Sequence, residues 1–341
     1  MGAQRLGIGI IGMRTIGSTH AQALKHCDDD VDLVAVSGGE PDAAARTGWP
    51  DARVMTPEQV LADSAVDVVV VCSPSEHHAA QALAALEAGK HVVVEKPLAL
   101  RVADADKVAA AAAERGLSAT MIAQRRFEPE HQHLKTLLDT GGLGRVVLGE
   151  TFVRWHRDDA YYAHAPWRTS MDGGGGSLMN QGVHNVDLLQ WLLGPAAEVT
   201  AQYATLGHAM DAEDTTVATV RFASGALGLV ATSTATPPGR PAEVSVHTST
   251  GSVTLTQDGV QRWDVTAPAP PSRDMPGHGA ADPAAIGVVG HLTQWRDIVA
   301  AISAGRAPAV SAEDGARTVR LLCAIYEAGR TGRTIRPEEL S

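Results

Sequence analysis

Two stretches of the chain set ionisable side chains at spacings that suit proton transfer. In His91-Val92-Val93-Val94-Glu95-Lys96-Pro97, three valines read as a short buried strand, and Glu95 and Lys96 leave its carboxyl end. A strand of this kind belongs in a parallel sheet covered by helices on both faces. Ligands of such open sheets bind outside the carboxyl ends of the strands, so Lys96 stands where a bound cofactor would be. Pro97 fixes the backbone behind it through its locked φ and the restriction it puts on its predecessor. The same pair also suits an ordinary surface ion pair, which would contribute little.

The second stretch runs over residues 178–193 and stops at Gly194-Pro195. At about 100° per residue, Asn180, His184, Asp187 and Trp191 share one helical stripe, and Met179, Val183, Val186, Leu189 and Leu193 lie largely opposite. Histidine is the usual acid/base near neutral pH, and Asp187, one turn on, would orient or charge-stabilise it. The other reading is a partly buried polar helix with Asp187 in a structural salt bridge. His184 and Asp187, joined by His156 or His164, would be a weak metal-ligand set without a tight motif, and no metal is expected. Upstream, Tyr161, Tyr162, Trp167 and Arg168 are types that stack on or hydrogen-bond a sugar, and equally types that pack at a domain seam.

The surrounding elements follow from periodicity. A strand over 6–11 runs into Gly12-Met13-Arg14-Thr15-Ile16-Gly17, followed by helical spacing over 18–26, which is the order a dinucleotide fingerprint needs. Gly7, Gly9 and Gly12 match the same spacing but fall inside the strand, where they cannot set a helix amino terminus against a pyrophosphate. The later frame carries Arg14 where a glycine would let backbone approach phosphate. Strands over 32–37, 67–72 and 119–122 alternate with helices over 57–63, 76–88 and 102–115, the pattern of a doubly wound parallel sheet. Beyond Gln124-Arg125-Arg126 the chain turns strand-rich, over 146–155, 199–206, 215–223, 226–234, 243–248 and 252–255. Short turns such as Ser224-Gly225 separate several of these, which predicts a predominantly antiparallel sheet. Residues 268–283 read as a surface loop, and helices over 291–304 and 312–328 close the chain. The expected architecture is an α/β Rossmann domain over 1–123 and an α+β domain over 124–341.

The bulk composition narrows the classes. With 341 residues, 44% hydrophobic and 20% charged, the chain is ordinary globular material long enough for two domains. A net charge of -11 without a dense basic run argues against nucleic-acid or anionic-membrane partners. The three cysteines are far apart and suggest neither a disulfide framework nor a zinc motif. No apolar run reaches ~20 residues, so the expectation is a soluble, cytoplasmic protein.

With these motifs in place, the sequence resembles, nearly end to end, the glucose-fructose oxidoreductase / inositol dehydrogenase / rhizopine-catabolism (Gfo/Idh/MocA) family of nicotinamide-dependent oxidoreductases. The resemblance rests on the glycine turn, Ser73-Pro74 with His78, the segment 88–97 ending in Glu95-Lys96-Pro97, the glycine-rich run leading to Gly182-x-His184-x-x-Asp187, and the closing Ala324-Ile325-Tyr326 with Thr331-Gly332-Arg333. It implies NAD or NADP as cofactor. Gly12 and Gly17, with Met13, Arg14, Thr15 and Ile16 between them, would shape the pyrophosphate turn. Ser73, Pro74 and His78 would line the cofactor, and Glu95 and Lys96 would flank the nicotinamide, with Lys96-Pro97 often cis. His184 matches the usual acid/base position, and Asn180 stands where many members have aspartate. Ser75 replaces a frequent asparagine. Gly38 occupies the place of an aspartate that would hold the adenine ribose, so the sequence selects neither NAD nor NADP.

The implied activity is hydride movement between nicotinamide and a carbon of a sugar, cyclitol or related polyol. His184 would be the principal acid/base, Lys96 a polarising and proton-sharing partner, Asn180 a neighbour in the catalytic group, and Asp187 the residue orienting the imidazole. Tyr161, Trp167 and Arg168 would meet the substrate. A variant of this reading is transient oxidation that permits net non-redox sugar chemistry. A rival of another class is a dinucleotide-responsive binding protein without catalysis, favoured by Arg14, Gly38, Ser75 and Asn180 and disfavoured by the presence of both Lys96 and His184. The strand over 226–231 is apolar on both faces, which leads us to expect a homodimer or homotetramer through the second sheet.

Overall fold

The computed structural model describes residues 5–271 and 289–341. Most of the expected loop over 268–283 therefore lies outside the described residues.

The first unit begins with β1 (Leu6–Ile11), α1 (Thr15–Lys25), β2 (Val31–Ser37), α2 (Ala43–Arg46), β3 (Arg53–Val54) and α3 (Pro57–Ala62). It continues through β4 (Val68–Val71), α4 (His78–Glu87), β5 (His91–Val94), α5 (Val102–Arg115) and β6 (Ala119–Met121). The six strands lie in the order β3-β2-β1-β4-β5-β6, and every neighbouring pair is parallel. The four valines of β4 are wholly buried, as expected of a strand covered on both faces. Local signals end the helices: Thr56 and Gln59 form a capping box at the start of α3, and Gly116 closes α5 in the left-handed region. Strand order reverses about β1, so the ligand crevice of such a sheet falls outside the carboxyl ends of β1 and β4.

The second unit holds α6 (Pro129–Asp139), β7 (Val146–Arg154), α7 (Asp159–Ala163), α8 (Val183–Leu193) and the strands β8 (Ala196–Ala204) to β13. The intervening strands are β9 (Thr215–Phe222), β10 (Leu227–Ser233), β11 (Glu243–Thr248) and β12 (Gly251–Thr256), with β13 spanning Gly259–Asp264. Their order is β13-β12-β11-β7-β10-β9-β8. Only β7 and β10 pair in parallel, so the sheet is mixed but mostly antiparallel. Helix α8 packs closely on β7 because residue 149 is glycine: a Cβ there would lie 2.5 Å from Leu193 Cδ2 and 2.9 Å from Leu189 Cδ1. Along β9 buried and exposed residues alternate, with Val217 left 48% exposed, so this sheet has one covered face and one open one.

One stretch departs from the expected division at 123/124. Residues 289–319, comprising α9 (Val289–Ser303) and the start of α10 (Ala312–Thr331), belong with the first unit, and the chain from Arg320 belongs with the second. The cause is packing: Trp295, Ile298 and Val299 share a core with Ile8, Ile10 and Leu24. In the same unit the Gln294 side-chain amide binds the main chain of Met121 and Ala123. No described helix is long and apolar enough to cross a membrane.

Candidate active site

In the first unit the glycine turn is shaped by close contacts. Gly12 has φ +104, and a Cβ there would fall 2.5 Å from the Cys72 carbonyl at the end of β4. Only glycine fits. A Cβ on Gly17 would lie 2.3 Å from the Gly12 carbonyl oxygen, so α1 seats directly against the turn. The helix starts three residues earlier than its spacing suggests and takes Thr15, Ile16 and Gly17 into its first turn. Their N–H groups have no acceptor within the helix and lie at the positive end of its dipole, which suits a diphosphate. Arg14 is the exposed residue before that turn. The Met13 side chain is buried, and its N–H donates to the Ser37 carbonyl at 2.9 Å.

Gly38 follows β2 with φ +75. Its missing Cβ would have ordinary room, 3.9 Å from Gly12 Cα, and a glycine offers no carboxylate to a ribose. These features fit a nicotinamide dinucleotide.

After β4, half-buried Ser73 and Pro74 lead into α4, and the Ser73 hydroxyl donates to Gln81 Oε1 at 2.7 Å. His78 is 1% exposed, with Nδ1 2.7 Å from the Pro97 carbonyl oxygen and Nε2 2.9 Å from that of Ser73. It ties together the segments that follow β4 and β5. Burial holds its pKa below the ordinary value.

Lys96 is half-buried, and the Lys96–Pro97 bond is cis. Glu95 is only 4% exposed: Oε1 accepts from His20 Nε2 at 2.9 Å, and Oε2 accepts the Lys96 main-chain N–H at 3.0 Å. Burial works to raise its pKa, but the hydrogen bond from His20 and the nearby ring of His291, 3.8 Å away, outweigh it and hold the carboxyl well below its usual range. His20, Glu95 and His291 bring three possible metal-ligand atoms within 4.8 Å of one another. Both His20 nitrogens are already engaged, one by Glu95 and one by Trp295, which makes this a hydrogen-bonded cluster.

In the second unit a π-helical turn, Ser177–Gly182, precedes α8. The even helical stripe expected from Asn180 to Trp191 therefore holds only from Val183 onward, because a π turn takes more residues per revolution. Glu213 pins this turn. Its carboxylate accepts from Ser177 Oγ at 2.6 Å, Leu178 N at 2.8 Å and the Tyr326 hydroxyl at 2.9 Å. The Met179 N–H in turn donates to the Tyr326 hydroxyl at 3.2 Å. Gly176, φ +92, admits the carboxylate, since a Cβ there would sit 2.5 Å from Glu213 Oε1. Burial raises the pKa of Glu213 and pushes that of Tyr326 well up. Sequence reasoning missed Glu213, one of three acids in Asp211-Ala212-Glu213-Asp214 before a strand, with nothing local to single it out. Tyr326 was visible only as part of a closing motif.

His184 is half-buried on α8, whereas Asp187 is 3% exposed and accepts from Arg126 with both oxygens. The salt-bridge reading of Asp187 is thus realised. Arg125 is also buried and donates to Asn185 Oδ1 at 3.1 Å, so the segment read as a domain exit anchors α8.

The expected substrate residues come together beside the π turn. The Tyr161 hydroxyl accepts from Gln181 Nε2 at 2.6 Å, and Asn180 Nδ2 lies 3.5 Å from it. The Arg168 guanidinium sits 4.0 Å from the Tyr161 ring centroid and 5.7 Å from that of Trp167. Tyr162 is buried against Thr234, and burial pushes its pKa up to about 12, which unsuits it for proton transfer near neutral pH. Among the described residues, no cluster of three metal-type ligands includes His184.

A doubly wound parallel sheet with a glycine turn and a presented lysine, followed by a sheet unit that presents a histidine, defines a nicotinamide-dependent oxidoreductase of two-part design. Residues 6–122 match the oxidoreductase family with an NAD-binding Rossmann fold, and 131–254 match the GFO/IDH/MocA C-terminal domain. The chain belongs to the GFO/IDH/MocA family. It is 29% identical to a myo-inositol 2-dehydrogenase of Thermotoga maritima, over 98% of this chain and 99% of that one. It is 25% identical to an NADP(+)-dependent scyllo-inositol 2-dehydrogenase of Bacillus subtilis, over 96% and 95%. A similar solved structure is that of the WlbA dehydrogenase from Bordetella pertussis in complex with NADH and UDP-GlcNAcA. That match has a TM-score of 0.86 and 29% identity, over 98% of this chain and 99% of that one.

Proposed function

We propose that this protein transfers a hydride between NAD or NADP and a CH–OH carbon of a cyclitol or sugar. The observation that carries the reading is Lys96, presented at the end of β5, two strands from a glycine turn that fits a diphosphate. The inositol dehydrogenases among the relatives, and the sugar derivative bound by the WlbA enzyme, support the substrate class.

The nicotinamide supplies the hydride acceptor or donor when bound. His184 takes the hydroxyl proton during oxidation and returns it during reduction. Lys96 is the polarising, proton-sharing partner in that reaction. Asn180 belongs to the same group through its place beside the Tyr161 hydroxyl. Asp187, expected to orient the imidazole, acts by fixing α8 through Arg126. Tyr161, Trp167 and Arg168 offer a ring face and a cation to the substrate.

The open sheet face, with Val217 and Leu227 exposed, supports a homodimer or homotetramer. The buried free thiols of Cys27 and Cys72 suit a reducing cytoplasm.

The test is to mix the protein with oxidised or reduced NAD and NADP and a panel of cyclitols, sugars and their keto forms, following nicotinamide absorbance. Hydride transfer to or from at least one polyol is expected. Tight cofactor binding without turnover on any of them would favour the non-catalytic binding protein.

A further inference from the structure

A series of buried hydrogen bonds in the first unit ends on the main chain of the reacting lysine. Trp295 of α9 is fully buried, and its indole N–H donates to His20 Nδ1 at 2.9 Å. That contact sets the tautomer: with Nδ1 accepting, the imidazole proton sits on Nε2, which donates to Glu95 Oε1 at 2.9 Å. The second carboxylate oxygen accepts the Lys96 N–H at 3.0 Å. His291, 1% exposed, crowds the group from the side, its ring edge-on to His20 with centroids 5.2 Å apart.

Stability alone does not explain such a group, because buried ionic clusters are often replaced by apolar residues at no loss. What an apolar replacement cannot do is hold a main-chain N–H in one direction. Desolvation of His20 also keeps its pKa low, in agreement with a neutral ring that donates from Nε2 only.

We propose that Trp295, His20 and Glu95 are positioning residues for Lys96, transmitting the placement of α9 through three hydrogen bonds to the lysine's main chain. The inference rests on the reading of Lys96 as a reacting group. It assigns Glu95 a part away from direct contact with the nicotinamide and gives His20 and Trp295 a part in catalysis without contact to substrate or cofactor.

The test compares His20→Leu, which deletes both bonds, with His20→Gln, whose amide can accept from Trp295 and donate to Glu95. In His20→Leu, NMR should show Lys96 amide hydrogen exchange at least ~10-fold faster while Val92, Val93 and Val94 stay protected. Turnover should fall about 10- to 100-fold, as small misplacements of reacting groups do, with cofactor Kd within about twofold of wild type. His20→Gln should recover most of both losses, which a merely space-filling role would not predict. Should His20→Leu fail to fold, Trp295→Phe keeps an aromatic ring, removes the first donor, and should move both readouts in the same direction. Unchanged Lys96 exchange or unchanged kcat in a folded variant would overturn the proposal. If the wild-type protein turned over no polyol, the proposed function would fail, and the exchange measurement would still decide whether this series holds Lys96.

Discussion

Arg126 closes on Asp187 as a fork, Nε to Oδ2 at 2.8 Å and Nη2 to Oδ1 at 2.6 Å, with side chains only 5% and 4% exposed. A two-point bond of this kind in a dry setting fixes direction as well as distance, and the helix it fixes carries His184. Removing one partner of a buried pair of this kind costs about 3–5 kcal/mol. Asp187→Ala should therefore destabilise the protein by that amount in denaturant unfolding. The double variant Arg126→Met/Asp187→Leu should lose less than Asp187→Ala does. A loss below about 1 kcal/mol for Asp187→Ala would mean that the pair contributes no more than a surface ion pair.

For the acid/base assignment, His184→Ala and Lys96→Met should each lower kcat about 10²- to 10⁴-fold on the true substrate while cofactor still binds. Near-normal kcat in His184→Ala would remove it from its role. Buried, high-pKa Tyr162 is a poor substitute, which would leave Lys96 or Tyr161.

The absence of a carboxylate at residue 38 leads to a cofactor prediction. Calorimetry should find NAD and NADP forms bound within about a hundredfold of each other, roughly 2.7 kcal/mol. Gly38→Asp should shift the ratio toward NAD by about tenfold or more, since the site has room for a Cβ and aspartate tolerates positive φ better than most residues. No change in the ratio would show that the adenine ribose is held elsewhere.

Stability should fall in acid, and the sign follows from the buried groups. The folded-state pKa of His20 lies below its ordinary 6.5, chiefly through desolvation, so its contribution is complete above pH 6.5 and is lost as pH falls through the folded value. His78 has the same sign and the same window. The depressed carboxyl of Glu95 adds a second loss below its ordinary 4.5. Urea midpoints measured across this range should drop as pH falls below 6.5, and more shallowly in His20→Gln. A flat profile down to about pH 5 would contradict the neutral, buried state of the His20 ring.

Much of the first unit was legible because its signals are local. Buried β-branched runs announced β4 and β5, and Gly12 and Gly17 announced a turn by their spacing; Gly17 is required by the nearby Gly12 carbonyl, whereas the Cys72 carbonyl that requires Gly12 comes from 60 residues away. The presentation of Lys96 was equally legible, since a strand end and a following proline are adjacent in sequence. What periodicity does not carry is the partner of a buried charge. Glu95 read as a residue facing cofactor, yet it turns inward to His20, 75 residues away, which in turn meets Trp295 across 275 residues. Asp187 shares a helical stripe with His184, but it is held by Arg126 from 61 residues upstream. The π turn that departs from that stripe is pinned by Glu213 and Tyr326, neither of them near it in sequence. A chain's local pattern states which side chains will be buried. Which hydrogen-bonding partners then satisfy them depends on the elements that pack there, and a desolvated charge needs such partners in place.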